Sequence, residues 1–459
     1  MNIKNNFIPQ EWLSSAGLSP QLIAEVKNDR FLSTLSIFLA IKKNKFFQEL
    51  SQEVCSAFQI TDDIVRRLGK EILAEIFTNP IAIRFCSDFP IALGSSHFGS
   101  ERIADEVWLN MIYDINRVVT GGVYKAGLSS KLICKADKGY LHIHLCQITF
   151  PVEESVDGYV EVLVNKPNTI EIQGNKYHNP GDILDGLNSQ VCMAAPYFLP
   201  NFNTKVVFDD ITLNHHWIHS QVFPYNLKAR PVSSTEVLDW VEEARRSFVK
   251  LDKLWPEMGR EIIEMNSIIV PVNCANSGVS ISCSSDDFWG AILISQAHDD
   301  LFGESLVHEH SHNVMYAILK KYPLLKSDGL SPVNFYSPWR PDARPIYGIL
   351  HAVYVFDRVC EYYLRLIQKN PTDHKLQNRL AFLASRIRIG IVVIHQCGDL
   401  TDEGEMLMAA ILDHLDSIPV YLKATDWKSV KDDLRRHYKE WCESNPTAHR
   451  PEGIEAYLN

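Results

Sequence analysis

The sequence predicts an α+β fold, and three observations predict it. Apolar residues recur at helical spacing over the first 128 residues and again from about 346 to 459. Between about 129 and 223 the texture changes to alternating and β-branched runs broken by turn residues. A second group of short apolar runs, from Ile268 to Ser295, leads into a helix-forming segment containing His308-Glu309-His310-Ser311-His312. The expected organisation is a helical N-terminal region (1–128), a β-rich region (129–230) and an H-E-x-x-H metal-binding catalytic domain (231–459) with a small sheet and a helical C-terminal scaffold. A chain of 459 residues is long enough for two or three domains.

In chain order, Ser19-Pro20 reads as an N-cap followed by proline at the first helical position, with Leu22, Ile23 and Val26 opening a helix. Ile60 to Phe77 reads as another, carrying Ile64, Val65, Leu68, Ile72 and Ile76, and Glu101 to Val119 as a third. Lys131–Ala136, Tyr140–Phe150 and Tyr159–Val164 read as strands, separated by turn signals at Asp137-Lys138-Gly139 and Asp157-Gly158. Asn179-Pro180-Gly181-Asp182 is a further loop. Ser233-Ser234-Thr235-Glu236 fits a capping box before a helix whose apolar stripe is Val237, Val241, Ala244, Phe248 and Leu251. Ile268–Val272, Val279–Ser285 and Ala291–Ser295 form a small sheet, and 375–459 reads as helical scaffold.

The chemistry centres on the H-E-x-x-H helix. His308 and His312 stand one turn apart on one face, so both imidazoles can reach one metal ion, and the stripe continues through Met315 and Leu319. Neutral imidazole suits zinc or ferrous iron. His142 and His144, two apart in a strand, and His215 and His219, one helical turn apart, are rival pairs; packing is the plainer reading of the first and cleft lining of the second. After the metal helix, Ser337-Pro338-Trp339-Arg340-Pro341-Asp342-Ala343-Arg344-Pro345 is a proline-stiffened loop bearing two arginines. It leads into a helix, Ile346–Gln368, on which Tyr347, His351, Tyr354, Arg358 and Glu361 share a stripe suited to lining a buried polar site. His351 and Glu361 both qualify as a third ligand. Ten residues place them roughly 15 Å apart along a helix, so only one can serve.

Composition narrows the class. A net charge of −11 argues against nucleic acid or an anionic membrane surface as the main partner. The start lacks the apolar core of a signal peptide, and ten cysteines without a C-x-x-C read as buried thiols. A cytoplasmic location is the expectation.

The blocks Ser305 to His312, Ser337 to Pro345 and Gly348-Ile349-Leu350-His351-Ala352-Val353-Tyr354-Val355-Phe356 together resemble the H-E-x-x-H-type 2-oxoglutarate-dependent peptide β-hydroxylases, associated with ribosomally made, modified peptides. The resemblance spans roughly 265 to 368. It implies a zincin-like metal core and Fe(II) held by His308, His312 and His351. It also implies 2-oxoglutarate on Arg340 or Arg344, dioxygen as oxidant, and hydroxylation of the β-carbon of a residue in a peptide, including a leader-bearing precursor. Tyr347, Tyr354 and Arg358 would line the substrate. The alternative is a zinc metallopeptidase with Glu309 as general base. Cys360-Glu361-Tyr362-Tyr363 lacks the run that usually carries the distal glutamate of thermolysin-type enzymes, and His312 does not lead into the metzincin pattern. In an oxygenase Glu309 would instead orient a neighbour. A non-enzymatic reading makes 1–230 a peptide-docking module and the metal helix structural.

Overall fold

The computed structural model describes residues 8–13, 17–98, 103–136, 139–146, 148–153, 158–165, 169–178, 207–208, 229–231, 234–274, 281–295, 300–331 and 334–458. The fold is mixed α/β, mostly helical, with small sheets. By its contacts the chain forms two compact units: Ile23–Glu242 with Ile263–Gln296, and Met1–Leu22 with Glu243–Ile262 and Ala297–Asn459. The change from helix to strand expected near 128 falls inside the first of these.

The helix-and-sheet unit packs α2 (Pro20–Ala40), α3 (Gln52–Val65), α4 (Lys70–Phe77), α5 (Pro80–Phe98) and α6 (Asp105–Lys125) around a core rich in phenylalanine. Phe38, Phe58, Phe85 and Phe89 meet ring to ring, and Trp108 closes edge-on against Phe89. The helix expected over Ile60–Phe77 is two helices. Gly69 stands at the N-cap of α4 with extended backbone, and the chain turns through Arg66–Gly69. The apolar periodicity survives the break because Ile64, Val65, Leu68 and Ile76 still face one core.

Strands β1 (Ser130–Lys135), β4 (Tyr159–Asn165), β5 (Thr169–Ile172) and β6 (Asn175–His178) form an antiparallel sheet in the order β1-β4-β5-β6, packed on α6. The single strand expected over Tyr140–Phe150 folds back on itself as β2 (Tyr140–Ile143), a 3₁₀ turn (His144–Cys146) and β3 (Ile148–Pro151), with Tyr140 opposite Pro151. That turn approaches α6 so closely that a side chain at Gly121 would strike the backbone of Leu145. His142 and His144 are buried edge to face at 4.6 Å, a packing pair. The other sheet runs β10 (Ser282–Cys283), β11 (Ala291–Ser295), β9 (Ile268–Cys274), β7 (Val207–Phe208), with β8 (Ala229–Pro231) also on β9. Strands β9 and β11 are parallel and read as continuous apolar runs because both faces are covered.

In the helical unit α9 (Asp300–Lys321), α10 (Ile346–Lys369) and α11 (His374–Cys397) form a layer with α10 between its neighbours. It is completed by α12 (Asp402–Ser417), α13 (Trp427–Ser444) and the 243–262 segment, which holds most of α8 (Pro256–Met265). Polar side chains cap three starts: Asp373, Thr401 and Asp426 accept first-turn N–H groups of α11, α12 and α13. Gly398, at positive φ, ends α11. Helix α9 packs against α10 at Gly303, where an added Cβ would overlap the Tyr362 hydroxyl. Among the described residues α11 alone is long and apolar enough to cross a membrane, and most of its apolar window is buried within the protein.

Candidate metal centre

Two turns of α9 supply the first donors. Leu306, Val307, Val314, Met315 and Ile318 bury the helix on several sides, which leaves the polar side chains of His308 and His312 at the one open face. Their Nε2 atoms lie 3.3 Å apart. His351 on α10 approaches His312, Nδ1 to Nδ1, at 3.3 Å. Burial holds His308 down to about pKa 3, helped by the charges of Arg340 and Arg379. His312 is pushed well below the ordinary histidine range by burial, then by His308 and Arg340. Both are neutral imidazoles at neutral pH, the form that binds a metal ion.

Two nitrogens bound to one ion at about 2.1 Å lie roughly 3.0–3.4 Å apart for angles between octahedral and tetrahedral, so the His308–His312 pair fits. His351 is brought beside the pair, but it faces the other nitrogen of His312. In this arrangement no group of three or more His, Cys, Asp or Glu side chains among the described residues converges on one point. Rings enclose the cluster: Phe356 packs 4.8 Å from His308, while Tyr347 and Tyr316 lie 4.5 and 4.9 Å from His351.

The three histidines open on a cavity of about 530 Å³. One wall is the Ser337–Pro345 loop, with Trp339 stacked on Phe356 at 5.2 Å. The loop is held from several sides. Phe335 and Arg344 exchange two backbone hydrogen bonds of 3.0 Å, Ala343 N–H donates to Asn445 Oδ1, and Arg386 donates to the Pro338 carbonyl. Arg340 and Arg344 both line the cavity, and the structure separates them. Arg344 pairs with Asp342 at 2.8 Å, whereas it is the charge of Arg340 that acts on both His308 and His312. The opposite wall is α11, with Arg379, Phe382, Leu383 and Arg386. Their i, i+3, i+4, i+7 spacing is visible in the sequence, inside a segment expected to be only scaffold.

Not every expected residue reaches this cavity. Tyr347 lines it; Tyr354 and Arg358 do not. Arg358 is buried and donates to both oxygens of Glu261, at 2.8 and 2.9 Å, and Tyr354 lies buried beside it. The shared stripe on α10 runs past the end of the cavity into the protein interior, which accounts for the difference. Glu361 is engaged by Arg365 at 2.7 Å and by His414 at 3.3 Å and does not line the cavity. Glu309 is buried at 3 % exposure and absent from the cavity lining, one residue round the helix from His308. The His215–His219 pair lies outside the described residues.

Sequence reading missed Glu261 on α8. Its carboxylate accepts from His310 Nε2 (2.7 Å), from Arg358, and from the Leu18 backbone N–H (2.7 Å), all fully or nearly fully buried. His310 sits on the back of α9 from the metal pair, and Arg358 lies two turns beyond His351 on α10. One carboxylate thus ties together the two helices that carry His308, His312 and His351. The charge of Arg358 and the hydrogen bond from His310 outweigh burial and hold Glu261 down to about pKa 2.

No protein-family model matches the chain, and no curated protein matches its sequence.

Proposed function

We propose that this chain is an Fe(II)- and 2-oxoglutarate-dependent oxygenase that hydroxylates the β-carbon of a residue in a ribosomally made peptide. One observation carries the reading. Three clustered histidines, two of them held neutral, stand at the floor of a cavity walled by arginines and aromatic rings. His308 and His312 would hold the iron through their facing Nε2 atoms, and His351, whose Nδ1 faces the other nitrogen of His312, would join them by turning its ring towards that point. When bound, iron with 2-oxoglutarate supplies oxidative decarboxylation of the co-substrate coupled to oxygen insertion into a C–H bond. The zincin-like character of the metal helix enters this proposal through its H-E-x-x-H sequence alone.

The chain's own groups bind, orient and exclude water. Arg340 is the better placed of the two loop arginines to receive the distal carboxylate, since its charge is the one felt at both α9 histidines. A guanidinium fork suits that carboxylate. The stacked Trp339–Phe356 pair covers the His308 side of the cavity, and the rings of Tyr316 and Tyr347 pack beside His351. Glu309 is off the cavity, so a general base acting on metal-bound water is not what this geometry favours.

Succinate formation from 2-oxoglutarate in air, with Fe(II) and ascorbate, tests the proposal. Turnover should disappear in His312→Ala, fall steeply in Arg340→Met and persist in Glu309→Gln. Peptide cleavage that requires zinc and Glu309, without succinate, would replace this reading with the peptidase.

A further inference from the structure

The cavity is lined by more guanidinium groups than its co-substrate needs. Arg340, Arg344, Arg379 and Arg386 line it, and among the described residues no aspartate or glutamate does. If the proposed function holds, the distal carboxylate of 2-oxoglutarate would need a single guanidinium. Arg386 is engaged by the Pro338 carbonyl and by Asp433 at 2.9 Å, and Arg344 by Asp342.

Arg379 is different in kind. Its Nε and Nη2 edge is clamped by Glu304, a buried carboxylate on α9 one turn before His308, and that carboxylate also accepts from the buried Tyr363 hydroxyl. With Glu304 and Tyr363 as its partners, the side chain remains 36 % exposed on the cavity wall. The guanidinium leans over Phe382, whose ring also carries Arg386 at 4.1 Å. A cation fixed in place by buried partners and partly exposed on a cavity wall is a prepared anion receptor. Arg340 and Arg379 approach His308 from different elements, the loop and α11. A co-substrate chelated at the metal can extend to one of them.

We propose that Arg379 receives a carboxylate of the peptide substrate, so that the peptide carries aspartate or glutamate at or beside the modified position. This rests on the oxygenase reading and deepens it. The net charge of −11 disfavours acidic peptides in any non-specific encounter, so their selection would have to come from this site.

The test is an anaerobic selection of a random-peptide library on the immobilised full chain loaded with Co(II) and 2-oxoglutarate. The wild-type pool should be enriched in Asp and Glu on the order of tenfold, as one charge-assisted contact allows. Enrichment should vanish in the double variant Glu304→Gln/Arg379→Gln, which leaves no buried charge unpaired, and survive in part in Arg379→Lys. The Fe(II)–2-oxoglutarate absorption band of the double variant should stay unchanged. A wild-type pool without acidic enrichment overturns the proposal, as does equal enrichment in the double variant. Loss of the band in the double variant also overturns it, because Arg379 would then hold the co-substrate. Absence of the band from the wild type refutes the oxygenase reading itself, which separates the two failures.

Discussion

Replacing Glu261 by glutamine tests how α9 and α10, which carry the three clustered histidines, are held together. The substitution keeps the shape but removes the charge that faces Arg358, which is 1 % exposed, and turns one acceptor oxygen into a donor among three donors. Breaking a buried pair while leaving the partner charged costs about 3–5 kcal/mol. For a cooperative unit of this class that lowers Tm by roughly 2–4 °C per kcal/mol. The pH dependence has a definite sign. Glu261 is held near 2 from an ordinary 4.5, so its contribution is full above about 4.5 and is lost as pH falls towards 2. The variant should therefore lose stability at neutral pH and show a shallower acid slope between those values. Urea unfolding at pH 7, 4 and 3, followed by tryptophan fluorescence, reads both effects. Co(II) titration should show weaker binding, because α9 and α10 are no longer tied together by one carboxylate. Leu434→Ala in α13 supplies a control destabilised away from the histidines. An unchanged urea midpoint would refute the role given to Glu261. Weakened Co(II) binding by the control to the same extent would reduce that role to general stability.

Other perturbations follow from the same structure. His414 is held up to about pKa 10 by Asp357 (2.7 Å) and Glu361 (3.3 Å), so its stabilisation is full below about 6.5 and is lost as pH rises towards 10; His414→Gln should flatten that alkaline loss in thermal melts. Gly303→Ala should destabilise the α9–α10 contact by about 1–3 kcal/mol, with partial recovery when Tyr362→Phe removes the overlapping hydroxyl. Recovery failing in the double variant would place the clash elsewhere. Arg340→Met should raise the apparent Kd for 2-oxoglutarate on the order of tenfold to a hundredfold, the worth of a charge-assisted hydrogen bond, and Arg344→Met distinctly less; the reverse order would exchange their roles.

What the sequence disclosed was what lies close together along it. His308 and His312 are one turn apart, and the arginines of the 337–345 loop sit between proline fences, so local spacing sufficed for both. His351 was legible as a polar residue on an otherwise apolar helix. Glu261 was not, because its partners are 49 and 97 residues away and nothing near it in the chain marks a buried carboxylate. Arg379 and Arg386 were hidden differently: their shared face is visible, but an arginine on an apolar helix usually looks outward. Periodicity also failed where two short elements face one core, as at Gly69, and where a strand reverses, as at His144–Cys146. Tyr354 and Arg358 shared the stripe of His351, yet a helix face does not tell where a cavity ends.

The central claim is that His308, His312 and His351 hold an iron that 2-oxoglutarate can chelate beside Arg340. The most direct measurement is anaerobic reconstitution with one equivalent of Fe(II), followed by titration with 2-oxoglutarate and observation of the weak visible charge-transfer band of the chelate. The expected result is a saturable band that is absent in His308→Ala and in His351→Ala and needs more 2-oxoglutarate in Arg340→Met. No band in the wild type, together with tight stoichiometric zinc binding, would contradict it.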